Sequence, residues 1–485
     1  MKTLMAVVIA SMLITASAAA QGRPISENTE IATNLKLMER WIEAQRVYRD
    51  LPGLSVALVH DQDLIYARGF GFANVEDEVP ATAQTMYRVA SITKAFTATA
   101  VMQLRDQGKL HLDDPIEHHL PWFRIKNRFP NAPAITIRHL LTHTSGLPRE
   151  SAFPYWTDYK FPSRTEMIKS LEQQETVFPT ETRLKYSNLA MALAGEIVTE
   201  VSGTPYSEYV ARQILDPLGM SSTTVFFQDK DRDRLAVGYG RRLEDGSRKE
   251  MPFLNARAIA ASANLTSTVE DMARFASLQF REGHVVFGSQ ILRGSTLKEM
   301  HRVHWLNPNW KGGWGLGFSV WRQEEKTVVG HAGWIGGYRS QVSFLPEDKV
   351  AVIVLTNADD ADAGYFAEKI LSMMLPYIRR ATAPSMTVSI ADPGWVKYTG
   401  KFFDPWSYET EILQMNGKLV MYDYSYPPED DPRRGLVELT PEGSNTFRMT
   451  GDNGSGELVI FEMDSANKVV KVKVGENFLY PKKDQ

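Results

Sequence analysis

The stretch YRVASITKAFTATAVMQL, from Tyr87 to Leu104, decides how the rest of the sequence is interpreted. Its run of Ala, Phe, Thr, Val, Met and Leu predicts a helix that is apolar on nearly every side, and such a helix is normally buried. Lys94 nevertheless lies inside it, one turn after Ser91. Burying a charged lysine costs free energy unless the amine is paired or loses its proton, so this lysine needs a chemical explanation.

Ser91 is predicted to lie at the start of this helix, where free backbone N–H groups and the helix dipole stabilise an oxyanion. Its spacing from Lys94 puts both residues on one helix face, so Nζ can reach Oγ. Complete burial lowers the pKa of a lysine by up to roughly 3–5 units, and a neutral amine can act as a base. The alternative is a capping serine and a lysine whose amine reaches solvent. The local context leaves the two interpretations about even.

The composition is that of a soluble globular protein with a sizeable core. The chain has 485 residues, of which 43% are hydrophobic and 23% charged, and a net charge of -4 at pH 7. Its length predicts two or three lobes. The weakly acidic balance argues against nucleic acid or an anionic membrane as a partner. The sequence contains no cysteine, which excludes disulfides, a thiol nucleophile and cysteine-ligated metal.

The first residues, MKTLMAVVIASMLITASAAAQ, predict a secretory signal peptide over residues 1–20. Lys2 precedes a short apolar stretch, and the small residues that follow offer cleavage just before Gln21 or Ala19. An uncleaved membrane anchor fits less well because the apolar stretch is short. We therefore expect a bacterial protein that is exported to the periplasm or secreted, with no membrane contact after cleavage.

Hairpin and helix patterns along residues 21–380 predict an α+β domain. GLSVALVHDQDLIYARGFGFAN, from Gly53, and QVSFLPEDKVAVIVLTN, from Gln341, each predict two strands around a polar turn. Between them the pattern is mainly helical, and the helix in LAMALAGEIVTEVSG is predicted to stop at Gly203. This order predicts an antiparallel sheet flanked by helices, with a helical lobe and a cleft between the two.

Residues 393–485 predict a separate C-terminal domain. YETEILQMNGKLVMYDY turns at Asn416-Gly417, a strong hairpin signal, and GELVIFEMDSANKVVKVKV predicts a second hairpin. We therefore expect a small antiparallel β-domain, either a barrel or a meander. The stretch over residues 381–392 carries Pro, Ser and Thr and predicts a linker between the two domains.

Two further motifs carry polar residues suited to a site. Tyr186-Ser187-Asn188 precedes a predicted helix, and its structural alternative is an N-cap at Asn188 with Tyr186 in the core. His331-Ala332-Gly333 leads into a glycine-rich strand, where Gly333 permits a close approach of a backbone to a ligand. The alternative there is a turn with an exposed histidine.

Other patterns are poorer signals. His139 and His143 have i, i+4 spacing without the glutamate of a zinc motif, which favours helix packing over a metal site. Two more Ser-x-x-Lys matches occur in polar contexts typical of solvated surface, and we assign them no role. They are Ser295-Thr-Leu-Lys298 and Ser465-Ala-Asn-Lys468.

Taken in order, Ser91-x-x-Lys94, Tyr186-x-Asn188 and His331-x-Gly333 resemble the three motifs of serine β-lactamases and penicillin-binding proteins. Four longer stretches are similar to the class C branch in particular. They are YRVASITKAFTA, ITIRHLLTHTSGLP, YSNLAMALAGEIVTEVSG and ILDPLGMSST. The similarity runs from about Leu51 to Arg380. It implies an antiparallel sheet flanked by helices, a helical lobe, and an active site between them.

The resemblance also implies a role for each motif residue. Lys94 would take the proton from Ser91 as the serine attacks a carbonyl, and Tyr186 would share that proton and pass it to the leaving group. Backbone N–H groups of Ser91 and Trp334 would form the oxyanion hole. The residues implied to bind and orient the substrate are Asn188, which would bridge the lysine and the substrate amide, His331 and Gly333.

Two departures from the class C pattern shape the expected activity. The usual Lys-Thr-Gly, which helps hold a β-lactam carboxylate, is replaced by His331-Ala332-Gly333, and a β-domain follows the last helix. A histidine with an ordinary pKa is mostly neutral near pH 7. Both features are similar to D-aminopeptidases and related exported serine peptidases, and this resemblance implies a lipocalin-like barrel. Esterases on the same fold also vary the third motif. We expect an exported serine hydrolase that uses no cofactor or metal and acts on a D-amino-acid peptide or small ester. A true β-lactamase and a non-turnover penicillin receptor are the alternatives.

Overall fold

The computed structural model describes residues 25–281, 290–323, 325–383, 392–406, 408–424, 435–451 and 453–482. The predicted signal peptide lies outside these ranges, as does most of the predicted linker. The chain divides into two compact units, the first ending at Thr382 and the second beginning at Ala383. The last helix of the first unit continues to Thr382, so the predicted linker begins two residues too early.

The first unit is built on nine antiparallel strands with helices on both faces. The sheet order is β3-β2-β1-β11-β10-β9-β8-β7-β6, and β4 pairs with β5 beside it. The strands of this unit are β1 Gly53–His60, β2 Asp63–Asn74, β3 Val79–Pro80, β4 Tyr87–Arg88, β5 Thr266–Ser267, β6 Trp305–Leu306, β7 Gly312–Trp314, β8 Ser319–Gln323, β9 Lys326–Ile335, β10 Tyr338–Leu345 and β11 Val350–Thr356.

The α-helices of this unit lie mostly between β3 and β6 in the chain, which is the predicted helical region. They are α1 Thr29–Tyr48, α2 Thr93–Asp106, α3 Ile116–His119, α4 Ile137–Leu141, α5 Tyr155–Asp158, α6 Arg164–Ser170, α7 Asn188–Ser202, α8 Tyr206–Val210, α9 Asp216–Leu218, α10 Ala260–Ala263, α11 Val269–Leu278, α12 Gly294–His301 and α13 Ala363–Thr382. Among the described helices, none is long and apolar enough to cross a membrane.

Strand β1 shows how the sheet separates two cores. Side chains alternate between the faces of a strand, so Leu54 and Val56 lie in one apolar cluster with α1 and α13. Ala57 and Val59 lie in a second and larger cluster with α2, α7 and α11. Both predicted hairpins are confirmed, since β1 pairs with β2 and β10 with β11. The predicted α+β architecture is therefore correct.

Helix α2 is buried along almost its whole length, as its sequence predicted. Every residue from Thr93 to Leu104 is buried. Phe96 stacks on Phe275 of α11 with ring centroids 3.9 Å apart. Gly317 has a φ of +79°, and a Cβ there would collide with that of Ala98. A glycine is required at that position because the loop carrying it lies directly against the helix.

The second unit is a closed barrel of eight antiparallel strands, which confirms the predicted barrel. The hairpin at Asn416-Gly417 has φ values of +52° and +75°, as a tight turn of this sequence requires. The second unit has its own apolar core, which includes Tyr398, Phe447 and Phe461. The strands are β12 Gly400–Phe403, β13 Glu409–Met415, β14 Lys418–Asp423, β15 Leu436–Gly443, β16 Thr446–Thr450, β17 Leu458–Met463, β18 Val469–Val474 and β19 Asn477–Pro481.

Candidate active site

Ser91 lies in a 3₁₀ turn, Ala90–Ile92, that joins β4 to the start of α2. Ala90 has a φ of +48°, a left-handed conformation that costs free energy for a residue with a Cβ. Two hydrogen bonds hold the turn in this shape. Thr93 Oγ1 donates to the Ala90 carbonyl at 2.6 Å, and Ser340 Oγ donates to the Val89 carbonyl at 2.9 Å. The serine is therefore presented by a strained and well-supported turn.

Lys94 is fully buried, and its Nζ lies 3.0 Å from Oγ of Ser91 and 2.8 Å from the carbonyl oxygen of Ser262. Burial holds the pKa of this amine well below its usual range, with a smaller opposing effect from the carboxylate of Glu150. Nζ donates to both oxygens, and in its neutral form the amine also has a lone pair that can take the serine proton. The alternative of a lysine reaching solvent is wrong.

Tyr186 covers the amine of Lys94, with Nζ 4.8 Å from the ring centroid. Burial raises the pKa of its phenol, and a hydrogen bond with Ser91 opposes that shift only in part. The phenol is therefore protonated at neutral pH. A protonated hydroxyl beside both Ser91 and Lys94 can relay a proton between them.

Asn188 is the first residue of α7, and the N-cap is Ser187, whose Oγ accepts from the Ala190 N–H at 2.9 Å. The capping alternative for Asn188 is therefore wrong. Its Nδ2 donates instead to Oε1 of Glu150 at 2.7 Å. Its buried Oδ1 has no hydrogen-bond partner in the described part of the chain. Sequence reasoning missed Glu150.

His331 is buried within β9, so the alternative of an exposed turn is wrong. Its Nδ1 lies 2.7 Å from the Ala332 carbonyl, which places the proton on Nδ1 and leaves Nε2 as an acceptor. Burial lowers the pKa of His331 to about 3. The sequence analysis expected a mostly neutral imidazole from an ordinary histidine pKa. Burial lowers that pKa further, so the imidazole is neutral at physiological pH.

His143 lies next to the site, although the sequence analysis assigned it only to helix packing. It lies after α4 with a φ of +58°, and its Nδ1 accepts from the Ser187 N–H at 3.3 Å. Its ring centroid is 4.4 Å from that of Tyr186 and 4.7 Å from that of Trp314. Burial keeps its pKa well below the usual range. The signal was present in ITIRHLLTHTSGLP, one of the stretches that resemble the class C branch.

His139 has a separate structural role. Its Nδ1 lies 3.1 Å from both the backbone N and the Oγ1 of Thr136, the residue that caps α4. The residues that the structure describes contain no group of three or more His, Cys, Asp or Glu side chains arranged to hold a metal. The two other Ser-x-x-Lys matches lie on the surface, with both serines and both lysines exposed.

Gly333 allows β9 to lie against the turn that carries the serine. A Cβ at this position would collide with the Val89 carbonyl and with Oγ of Ser340. The close approach predicted at Gly333 is thus to the protein's own backbone. The next residue, Trp334, lines the same cavity as Ser91. Its indole Nε1–H donates to Oδ1 of Asp359 at 3.0 Å.

A cavity of about 370 Å³ opens beside Ser91. It has an aromatic and apolar character, and its lining includes one cation, Arg149, and one carboxylate, Asp359. Such a cavity suits a small organic substrate fixed by a few polar groups. The lining residues are Ser91, Arg149, Trp156, Tyr159, Asn188, Met251, Leu254, Ala263, Trp334, Ile335, Gly336 and Asp359.

Comparison with known proteins agrees with this geometry. The family model described as Beta-lactamase matches residues 38–371. Beta-lactamase-like protein 2 of Dictyostelium discoideum is 31% identical over 305 residues, which make up 61% of this chain and 54% of that protein. This chain thus spans about half the length of that relative.

Two solved structures share the fold. A penicillin-binding protein homologue from Pyrococcus abyssi, described as octameric, has a TM-score of 0.62 and 27% identity, and the match covers 92% of this chain and 99% of that chain. A D-stereospecific amidohydrolase from Streptomyces sp. has a TM-score of 0.57 and 25% identity, with coverage of 70% and 98%.

Proposed function

Because this chain belongs to the β-lactamase family of serine hydrolases, we propose that it is an exported enzyme that hydrolyses amide or ester bonds through an acyl-enzyme on Ser91. The observation that carries the proposal is the contact between a buried amine of lowered pKa, on Lys94, and the serine hydroxyl. A neutral amine at that distance is a base for the nucleophile.

The proposed reaction has two steps. Oγ of Ser91 attacks the substrate carbonyl while Lys94 takes its proton, and backbone N–H groups of Ser91 and Trp334 stabilise the oxyanion. Tyr186 then relays the proton to the leaving amine or alcohol, and the C–N or C–O bond breaks. In the second step, water attacks the acyl carbon and gives its proton to the lysine–tyrosine pair. The bond between Oγ and the acyl carbon then breaks, Oγ takes that proton, and the carboxylic acid product leaves.

The proposed substrates are D-amino-acid peptides and small esters. The third motif offers a neutral imidazole and an alanine, so it lacks the cation and hydroxyl that favour a β-lactam carboxylate at that strand. Exposed faces of Trp156, Tyr159 and Trp334 beside the cavity favour an apolar or aromatic group. The likeness to a D-stereospecific amidohydrolase supports the peptide arm of the proposal.

Export is proposed on the composition of residues 1–20. We propose a periplasmic or secreted protein whose partners are small-molecule or peptide substrates, with no nucleic acid and no membrane contact after cleavage. Expression of the full chain in a Gram-negative host, followed by fractionation and N-terminal sequencing, tests this. A mature protein in the periplasm or medium that starts at Gln21 or Ala19 supports export, whereas an intact N-terminus in the cytoplasm contradicts it.

The test of the nucleophile is Ser91→Ala, with Ser295→Ala as the matched control in an exposed Ser-x-x-Lys match. Turnover and labelling by a fluorophosphonate should be lost in the first variant and kept in the second. Wild type is assayed on nitrophenyl esters, D-aminoacyl anilides and a chromogenic cephalosporin. Labelling of the Ser91→Ala protein would refute the assignment.

The same panel separates the alternatives. A penicillin receptor stays acylated, so it gives one stoichiometric burst and no further product. A true β-lactamase turns over the cephalosporin faster than the ester and the anilide. Sustained turnover of an ester or a D-aminoacyl anilide in preference to the cephalosporin supports the proposed function.

A further inference from the structure

Arg149 is the cation in the wall of the cavity that contains Ser91, and the reaction proposed above gives it no role. Its side chain is 55% exposed, and its Nε lies 3.2 Å from Oε1 of Glu150. Its Cζ lies 5.1 Å from the ring centroid of Tyr186. Within the described residues, Nη1 and Nη2 have no hydrogen-bond partner. The terminal fork of the guanidinium is therefore held beside the catalytic tyrosine and free to bind a ligand.

The contact between Glu150 and the guanidinium is made at Nε, and the carboxylate oxygens also accept from two other groups. Oε1 accepts from Nδ2 of Asn188 at 2.7 Å, and Oε2 accepts from the hydroxyl of Tyr155. Glu150 is also less exposed than Arg149, at 18% against 55%. It therefore contacts the guanidinium at Nε, and Nη1 and Nη2 are left without a carboxylate partner among the described residues.

The side chains that line the cavity include one cation, Arg149, and one carboxylate, Asp359. Neither Lys94 nor His331 lines the cavity, and burial lowers the pKa of both, which favours their neutral forms. Asp359 lines the cavity with Trp334, and its Oδ1 accepts from the Trp334 indole at 3.0 Å and from the Gly337 N–H at 2.9 Å. An anionic group is repelled from that carboxylate and attracted to the guanidinium.

We propose that Arg149 binds a carboxylate of the substrate through Nη1 and Nη2, so that an ester or amide with a free carboxylate near the scissile bond is preferred over its neutral counterpart. The inference rests on the function proposed above and names its substrate class. Guanidinium groups match carboxylates in a bidentate geometry, which gives orientation as well as binding. This position lies beside Tyr186 and is distinct from the third-motif strand, where the usual lysine and threonine are absent.

Three chromogenic esters test the proposal and locate the carboxylate. Nitrophenyl butyrate is neutral, nitrophenyl hemisuccinate carries a carboxylate in the acyl half, and 4-butyryloxy-3-nitrobenzoate carries one in the leaving half. Arg149→Gln should lower kcat/KM for one anionic ester about tenfold relative to the neutral ester. Arg149→Lys should give a smaller loss because it keeps the charge without the fork.

Arg212→Gln is the control for overall charge, since this arginine is exposed and does not line the cavity. This substitution should leave the ratios of kcat/KM among the three esters as they are in wild type. Ser91→Ala gives the uncatalysed background for each ester. Ratios in Arg149→Gln that stay within twofold of wild type for both anionic esters would overturn the inference while leaving the hydrolase assignment intact.

Equilibrium binding separates this inference from the proposed reaction. The Ser91→Ala protein, with and without Arg149→Gln, is titrated calorimetrically with succinic acid monoanilide, 4-butyramidobenzoate and neutral butyranilide. Removing the guanidinium should weaken one of the two anionic ligands about tenfold and leave the neutral one within twofold. Equal affinity for both anionic ligands in the two proteins would overturn the carboxylate assignment even if the wild type turns over no ester.

Discussion

Lys94 and Ser91 share a hydrogen bond of 3.0 Å at a point where the lysine has no contact with solvent. The pKa of the amine is lowered mainly by this burial, which favours its neutral form. Only the neutral form has a lone pair for the serine proton. The proposed activity therefore depends on the protonation of one buried group.

This relationship predicts the acid limb of the pH–rate profile. As pH falls through the lowered pKa of Lys94, the amine becomes charged and kcat/KM should fall; as pH rises, the limb should level off well below pH 10.5. Measurement on a neutral ester from pH 4 to 10 gives the midpoint. Lys94→Gln should lower kcat by about 10²–10⁴-fold, whereas exposed Lys298→Gln should not. An acid limb centred near pH 10.5 would contradict the prediction.

A second prediction concerns the third motif, where the pKa of His331 is lowered to about 3. Wild-type kcat/KM for a cephalosporin should be lower than for a nitrophenyl ester or a D-aminoacyl anilide. His331→Lys with Ala332→Thr should raise the cephalosporin value relative to the ester by about 10–100-fold, since each charged hydrogen bond contributes about 1.5–3 kcal/mol. A wild-type preference for the cephalosporin over both other substrates would favour the β-lactamase alternative.

The single variant His331→Gln checks the charge of that residue. Because His331 is neutral above about pH 4, its replacement should leave the midpoint of the acid limb where it is in wild type. The comparison uses the same neutral ester and pH range. A midpoint displaced by a full pH unit would mean that the imidazole titrates in the working range.

Gly333→Ala tests the contact between β9 and the serine turn. The added Cβ meets backbone at Val89 and the Ser340 hydroxyl, so the strand must move. Overpacking of this kind costs about 1–3 kcal/mol, and kcat should fall because Trp334 moves with the strand. Thermal unfolding and ester turnover measure the two effects. Gly364→Ala is the control, since its Cβ would make only ordinary contacts, and equal melting temperatures for the two variants would contradict the argument.

His143 is predicted to act as a positioning residue for Tyr186. His143→Leu removes the acceptor for the Ser187 N–H and places a branched side chain at a φ of +58°. His143→Asn keeps an acceptor and tolerates this conformation. We expect kcat to fall about tenfold or more in the leucine variant with KM little changed, and to recover in part in the asparagine variant. Equal losses in both would point to general destabilisation.

The parts of the site that could be predicted from sequence are those set by short spacing. Ser91 and Lys94 meet because they are three positions apart on one helical face, and the hairpin at Asn416-Gly417 follows from two residues that tolerate positive φ. The apolar pattern around Lys94 also predicted its burial. These are local rules, and they need no knowledge of the rest of the chain.

The parts that could not be predicted depend on contacts between distant segments. Glu150 accepts a hydrogen bond from Asn188 across 38 positions. His143 contacts Ser187 across 44 positions. No periodicity encodes such pairs, and the spacing of His139 and His143 indicated only a weak metal motif.

The nine-stranded sheet ends at each side in a strand of two residues, Val79–Pro80 and Trp305–Leu306. A sheet edge is the place where a second chain can add a strand, and short edges that include proline offer few free N–H and C=O groups. The closed barrel of the described C-terminal strands has no such edge at all. Both units are thus built to resist edge-to-edge aggregation, which matters for a β-rich chain that has no disulfide to hold it while it folds.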